Sequence, residues 1–149
     1  MYANDGFREI GRAACLRLLA RAPIGRVVHT RGALPAVLPV NFVLDEEGAV
    51  VLCASVASEL VRAVDGTVVA FEADAVDVAR RRGWSVVVTG TATVVTDPAA
   101  HAHLVRTGPR SWTPARDKVF VRVAPELVAG RELVGGYGSD RSGCLDIGA

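Results

Sequence analysis

Few residues in this chain of 149 have the types and spacing that catalysis or metal binding demands. Cys15, Cys53 and Cys144 show no metal-ligand spacing and are odd in number, so neither a zinc site nor a disulfide framework is expected, and a reducing cytoplasm is the simpler setting. His101 and His103 stand two apart in a helical stretch, which puts them on different faces and argues against a shared metal. His29, in the apolar run GRVVHT, could act as a haem ligand or an acid/base, but the sequence offers it no partner and a structural place is the plainer reading. Asp74 and Asp77 resemble a carboxylate pair and read as turn formers. The run Arg80-Arg81-Arg82 reads as a solvated loop, with a phosphate contact as the alternative. No Ser/His/Asp set assembles, so the catalytic residue is unknown and no metal site is predicted. What remains suits binding a flat molecule: Asn41 in an apolar strand, Trp84 at a strand start, and Trp112 in a proline-flanked loop. Asn41 could equally satisfy backbone beside Pro39, Trp84 could fill an interface core, and Trp112 reads as a pocket lid.

The elements that must position these residues are mostly strands. A helical pattern covers Glu9 to Ala22, with Cys15, Leu18, Leu19 and Ala22 on one face and Pro23 ending it; the ten residues at the start read as polar and loosely held. Gly25 to Thr30 is a strand, Arg31-Gly32 a turn, and Leu34 to Leu44 a second strand. Pro35 and Pro39 cannot donate to a ladder, so their side of that strand faces an edge, a bulge or a ligand. Asp45 to Gly48 is a polar hairpin turn, Ala49 to Ala54 a third strand, and Ser58 an N-cap for a short helix through Val64 that Asp65-Gly66 ends. Thr67 to Ala73 is a fourth strand and Asp74 to Gly83 a charged connection. Trp84 to Val95 alternates Trp84, Val86, Val88, Ala92 and Val94 against Ser85, Thr89, Thr91 and Thr93. Asp97-Pro98 starts a helix to about Arg106, Thr107 to Asp117 is a loop, and Lys118 to Val123 is a sixth strand. A short segment follows Pro125. GGYGSDRSG, near the end, lacks the strand-turn-helix frame of a phosphate loop, and residues 135–149 read as a flexible tail after a single domain of residues 1–134.

Half the residues are hydrophobic but only 5% aromatic, so the core is built from Val, Leu and Ala, a bias toward strands. A formal net charge of +1 gives no field that would gather nucleic acid or an anionic membrane. No stretch approaches the roughly 20 apolar residues of a membrane span, and the opening MYANDGFREIG lacks the regions of a signal peptide. Six short strands, hairpin connections and no dinucleotide-binding βαβ unit predict a mainly β protein, a small antiparallel barrel with a few short helices.

The ordered set GRVVHT, LPAVLPVNFVLD, VVLCASVASEL, VVAFEADAVD, GWSVVVTGTATVV, W-x-P and VRVAPELVAGR resembles the pyridoxamine 5′-phosphate oxidase-like family of flavin-binding split barrels, in particular its small bacterial branch with the nitroimidazole-resistance proteins. The likeness covers roughly Leu16 to Arg131. It implies a six-stranded antiparallel split barrel, a homodimer, and two small-molecule sites at the interface that hold flavin mononucleotide (FMN); related branches use a deazaflavin or haem. Position in the family puts the ring along Pro39, Val40, Asn41 and Phe42, and the phosphate and ribityl chain near Cys53, Ala54, Ser55, Ser58 and Glu59. Trp84, Ser85, Val86 and Trp112 come near the ring.

The chain departs from this family where the phosphate is expected. A pattern like R-T-x-x-G-S-K-L reads here C-A-S-V-A-S-E-L from Cys53 to Leu60, so arginine has become Cys53 and lysine has become Glu59. Unit charges about 4 Å apart interact by roughly 4 kcal/mol at the effective dielectric of a protein surface, so exchanging a cation for an anion weakens phosphate binding. Arg62, Arg26 and the backbone N–H groups after Ser58 are the candidates for compensation. The implied functions are a flavin-dependent oxidoreductase, a cofactor-free biosynthetic enzyme that has lost FMN, or a non-catalytic protein that binds flavin, haem or another small molecule. The substrate is not legible.

Overall fold

The computed structural model describes residues 6–112 and 117–134. The tail of residues 135–149, Cys144 within it, and Pro114 of the late loop lie outside the described residues. In chain order the elements are β1 (Phe7–Ile10), α1 (Arg12–Leu19), β2 (Ile24–Arg31), β3 (Leu34–Leu44), β4 (Val50–Ser55), α2 (Glu59–Val64), β5 (Val68–Asp77), β6 (Arg82–Val94), α3 (Pro98–Thr107), β7 (Lys118–Val123) and β8 (Leu127–Leu133). Every pairing is antiparallel. The sheet runs β1-β8-β6-β5-β2-β3-β4-β7, and β6 also pairs β7, which closes six strands into a barrel and leaves β8 and β1 as a flap on β6.

The closure depends on β6 changing partner along one edge. Gly83 to Thr89 pair with β8, and Ala92 to Val94 pair with β7. Gly90 stands at the change, where a Cβ would lie 1.8 Å from the Ala124 carbonyl oxygen, so only glycine lets the returning chain pass. The register is staggered around the ring. Phe42 leads through Leu52 and Val121 to Val94 in one direction, and Pro39 leads through Arg26 and Glu72 to Val87 in the other. Strands offset in this way are strongly tilted to the barrel axis.

The barrel interior is small and aliphatic: Val27, Val50, Leu52, Val64, Val86, Val88, Val121 and Val123 are all fully or almost fully buried. Its two aromatic rings meet edge to face, Phe42 on Phe71, with centroids 4.6 Å apart. Gly25 makes the room, because a Cβ there would lie 2.1 Å from the Phe71 ring.

Three expectations need correction. The helix expected from Glu9 begins at Arg12, and Phe7–Ile10 is a strand whose Arg8 pairs with Glu132 of β8. The segment after Pro125 is likewise a full strand; neither edge piece carries enough alternation to declare itself without its partner. The charged connection from Asp74 to Gly83 is mostly a tall hairpin, paired as far as Asp77 with Arg82. Arg81 adopts a positive φ of 53° in its tip, and Asp77 accepts the Arg80 N–H at 3.0 Å.

Candidate functional site

The feature that sets this barrel apart is a split between β3 and β4. They pair only from Phe42 with Leu52 to Leu44 with Val50. Beyond that, β3 stays paired to β2 from Asn41 back to Leu34, while β4 continues to Ser55 on β7. Two strand edges therefore diverge, each with backbone N–H and C=O groups turned toward the gap. Pro35 and Pro39 share one register phase on β3 and remove donors that the open edge does not need. α2 follows β4 and packs on β2, β4 and β6, with Leu60, Val61 and Val64 buried.

Strand alternation divides the residues expected along the ring. Phe42 is core, edge to face with Phe71, and Val40 packs against the core from the same face. Pro39 and Asn41 face outward. The Asn41 side chain donates its Nδ2–H to the Arg110 carbonyl oxygen at 2.6 Å. The loop after α3 is thereby fastened to β3 before it leads into β7, the strand on which α3 rests through His101 against Phe120. Trp112, two residues past that anchor, is 73% exposed.

On the opposite wall, Ala54 turns inward with Val119, while Cys53 stands opposite Phe120 and Ser55 opposite Lys118. Burial pushes the Cys53 thiol above its usual range, and the Lys118 ammonium only partly offsets this, so the thiol stays protonated. Ser58 is occupied as the N-cap of α2, its Oγ accepting the Val61 N–H at 3.3 Å. Glu59 is held by Arg31 of β2, Nη2 to Oε1 at 2.7 Å. The two residues expected to compensate are committed elsewhere. Arg62 donates to the Ala57 carbonyl at 2.7 Å, and Arg26 grips Glu72 at 3.0 Å and Asp74 at 3.7 Å. Of the two cations that face this wall, Arg31 is paired with Glu59 and Lys118 makes no ion pair with the described residues. Nothing in their local spacing marks them; only the strand register brings them to this wall.

Trp84, Ser85 and Val86 are not gathered at the split within one chain. Val86 is fully buried core and Trp84 packs against the core. Ser85 lies on the same outer face as Asn41, three strands away, roughly 14 Å at ordinary strand spacing. Its cross-strand partners are Asp74 and Arg131.

Elsewhere on the barrel, Asp77 does cap a turn as expected, but Asp74 instead adjoins Glu72. Burial, and then the neighbouring Asp74 carboxylate, push Glu72 up to about 6 against the opposing pull of Arg26. His29 is buried on the inward face of β2, and its Nδ1 has no hydrogen-bond partner among the described residues. No three His, Cys, Asp or Glu side chains among the described residues cluster as a metal site requires.

A closed six-strand antiparallel barrel, split along one seam and flanked by a two-strand flap, is the architecture of the flavin-type split barrels. Residues 11–132 match the family described as Pyridoxamine 5′-phosphate oxidase, and the chain belongs to that family. It is 44% identical over 131 residues to the uncharacterized protein Rv0080 of Mycobacterium tuberculosis, covering 85% of each chain. Among solved structures it is similar to an FAD binding protein from Mycobacterium smegmatis, at 33% identity and a TM-score of 0.77, over 87% of this chain and 100% of that one. A further FAD-binding protein, from Mesorhizobium loti, shares the fold at 20% identity and a TM-score of 0.71, over 85% of this chain and 96% of that one. No helix among the described residues is long and apolar enough to cross a membrane.

Proposed function

We propose that this chain is a flavin-binding redox protein that works as a homodimer, with the flat ring of the cofactor lying in the seam between β3 and β4. The observation that carries this reading is the unpaired edge of β3 from Leu34 to Asn41. The backbone carbonyls along that edge, with the N–H groups that alternate with the two prolines, match the hydrogen-bonding rim of a heteroaromatic ring, and the apolar side chains around them match its faces. The M. smegmatis relative, named an FAD binding protein, supports the same class of ligand.

The donor set fits the ring better than it fits a terminal phosphate. Ser58 already caps α2, Cys53 is a neutral thiol, and Glu59 is an anion held by Arg31. A buried phosphate monoester, with nearly two negative charges, needs cations or several N–H donors. In FAD the two phosphates form a pyrophosphate with about one charge each, so a charge as large as that of FMN is spread over two groups and no single point on that wall must hold both.

When bound, the flavin supplies the electron or hydride transfer. The chain's residues then have binding work to do. The β3 edge and Asn41 set the ring's position, Trp112 stands at the mouth, and the apolar barrel keeps water from one side. No protein acid or base is required at the seam.

The outer face of the β3-β2-β5 sheet supports the dimer. Val37, Val28 and Ala70 lie in register across it, and on that face Val37 and Val68 are 61% and 65% exposed. An apolar sheet face of this kind is an association surface, and a twofold copy would bring a second set of side chains, Ser85 among them, toward the seam.

The test is the visible spectrum of the purified protein, repeated after adding FMN, FAD and riboflavin. A yellow protein that releases flavin on denaturation, or a colourless one that binds added flavin, supports the proposal. A colourless protein that binds none of the three overturns it and favours the second reading, a seam turned to another small molecule without flavin. The substitution pattern at Cys53 and Glu59 is what keeps that reading in play.

A further inference from the structure

We infer that Lys118 on β7 is the cation that holds the phosphate of the bound flavin, in place of the positive charges missing from Cys53 and Glu59. This rests on the flavin reading above and adds a residue and a location to it.

Lys118 is the cross-strand partner of Ser55, and the next outward position along β4, Cys53, is opposite Phe120. Directly paired residues in an antiparallel ladder project from the same face, with Cβ atoms about 5 Å apart. Lys118 therefore rises from the outer face of β4 beside Ser55, diagonal to Cys53. The ammonium acts on the Cys53 thiol, which agrees with a side chain leaning along β4 rather than away from it. Its sequence neighbour Asp117 meets β4 through its carbonyl, which accepts the Val56 N–H at 2.9 Å.

Elimination points the same way. Among the described residues, the cations nearest the β4–α2 turn are Arg31, Arg62 and Lys118. Arg31 is neutralised by Glu59, and Arg62 is turned back onto the Ala57 carbonyl. Lys118 is exposed and makes no ion pair with the described residues. Ser55 Oγ, which accepts only a long 3.4 Å contact from the Ala57 N–H, keeps a hydroxyl proton to donate beside it. An ammonium and a hydroxyl on adjacent strands form a two-point anion grip displaced by one strand from the expected one. Arg110, anchored through its carbonyl on the β3 side, is the cation of the other wall.

The experiment compares ligands that differ only in phosphate. The full chain, Lys118→Ala, Lys118→Arg and Arg110→Ala are titrated with riboflavin, FMN and FAD, followed by quenching of flavin fluorescence, with thermal midpoints as a folding check. Lys118→Ala is expected to weaken FMN and FAD by about tenfold, the scale of one lost charge-assisted hydrogen bond, and to leave riboflavin within about twofold, while Lys118→Arg restores most of the loss. The phosphate-dependent part of the affinity falls with added salt in the parent and not in Lys118→Ala. Equal weakening of riboflavin and FMN, an unchanged FMN affinity, or a phosphate-dependent loss in Arg110→Ala alone overturns the inference while leaving the flavin reading intact. A parent chain that binds none of the three ligands overturns both.

Discussion

Asn41 on β3 and Arg110 in the loop after α3 are joined by a 2.6 Å hydrogen bond from the amide Nδ2–H to the backbone carbonyl. The residue best placed by its strand for a ring contact thus spends its donor on a loop, which makes Asn41 a positioning residue for Trp112 as well as a wall of the seam. With a net worth of about 1 kcal/mol for such a bond, Asn41→Ala should leave the barrel folded and free the loop. The chain has two tryptophans, so in a Trp84→Phe background Trp112 reports alone. Lower emission anisotropy and stronger iodide quenching are expected for Asn41→Ala; an unchanged Trp112 signal would show that the bond does not hold the loop.

Val37 is 61% exposed in the middle of the apolar outer face. At a twofold interface one substitution appears twice in the same patch, and a buried unpaired carboxylate costs several kcal/mol. Val37→Glu should therefore convert a dimer to a monomer in sedimentation velocity with the barrel still folded, its thermal midpoint lowered by no more than the stabilisation that association supplied. A parent protein already monomeric at micromolar concentration, or a variant that remains dimeric, would count against this face.

Glu59→Lys acts on the pair with Arg31. The substitution removes a carboxylate, releases a guanidinium 2.7 Å away, and adds an ammonium to the first turn of α2. FMN binding should tighten by about tenfold or more, an increment of about 1.4 kcal/mol, and riboflavin binding should change little. Because the pair is well exposed, the thermal midpoint should move only slightly, as surface ion pairs contribute about 1 kcal/mol or less. Unchanged FMN affinity would place the phosphate away from α2 altogether.

The barrel was legible because its determinants are local. Alternation marks β6 and β7; Asp45 to Gly48 closes its hairpin with Gly48 at a φ of 80°; and Ser58 and Asp97 cap their helices through Val61 and Ala100. The flap was not, since β1 and β8 acquire their identity from each other and from β6. The seam was half legible. Pro35 and Pro39 announced an open edge, but the fates of Glu59, Arg62, Arg26 and Lys118 depend on contacts between residues up to tens of positions apart. Local spacing offers Arg62 as a compensating charge, whereas the fold turns Arg62 onto the Ala57 carbonyl and brings Arg31 of β2 to Glu59. Asn41 was found for its chemistry, while its partner Arg110 lies in a loop whose course no local pattern fixes.

The Glu72, Asp74 and Arg26 cluster predicts how stability depends on pH. Glu72 is raised from its ordinary 4.5 to about 6, by burial first and by Asp74 next, with Arg26 opposing. The folded chain then holds a proton that the unfolded chain has released, so stability falls as pH rises from about 4.5 to about 6 and is level above. Asp45 has the opposite sense. Burial raises it, but the hydrogen bond and charge of Arg122 and the N–H groups of Ala49 and Glu47 outweigh that and lower it below 3.8. Its contribution is present above that value and is lost only as the pH falls through the lowered one. The two windows do not overlap, so thermal midpoints between pH 4 and 7 isolate Glu72. Glu72→Gln, a neutral stand-in for the protonated acid, should flatten the decline and leave Arg26 to Asp74, so the variant gains on the parent above pH 6. A decline that persists unchanged in Glu72→Gln would assign the titration to another group.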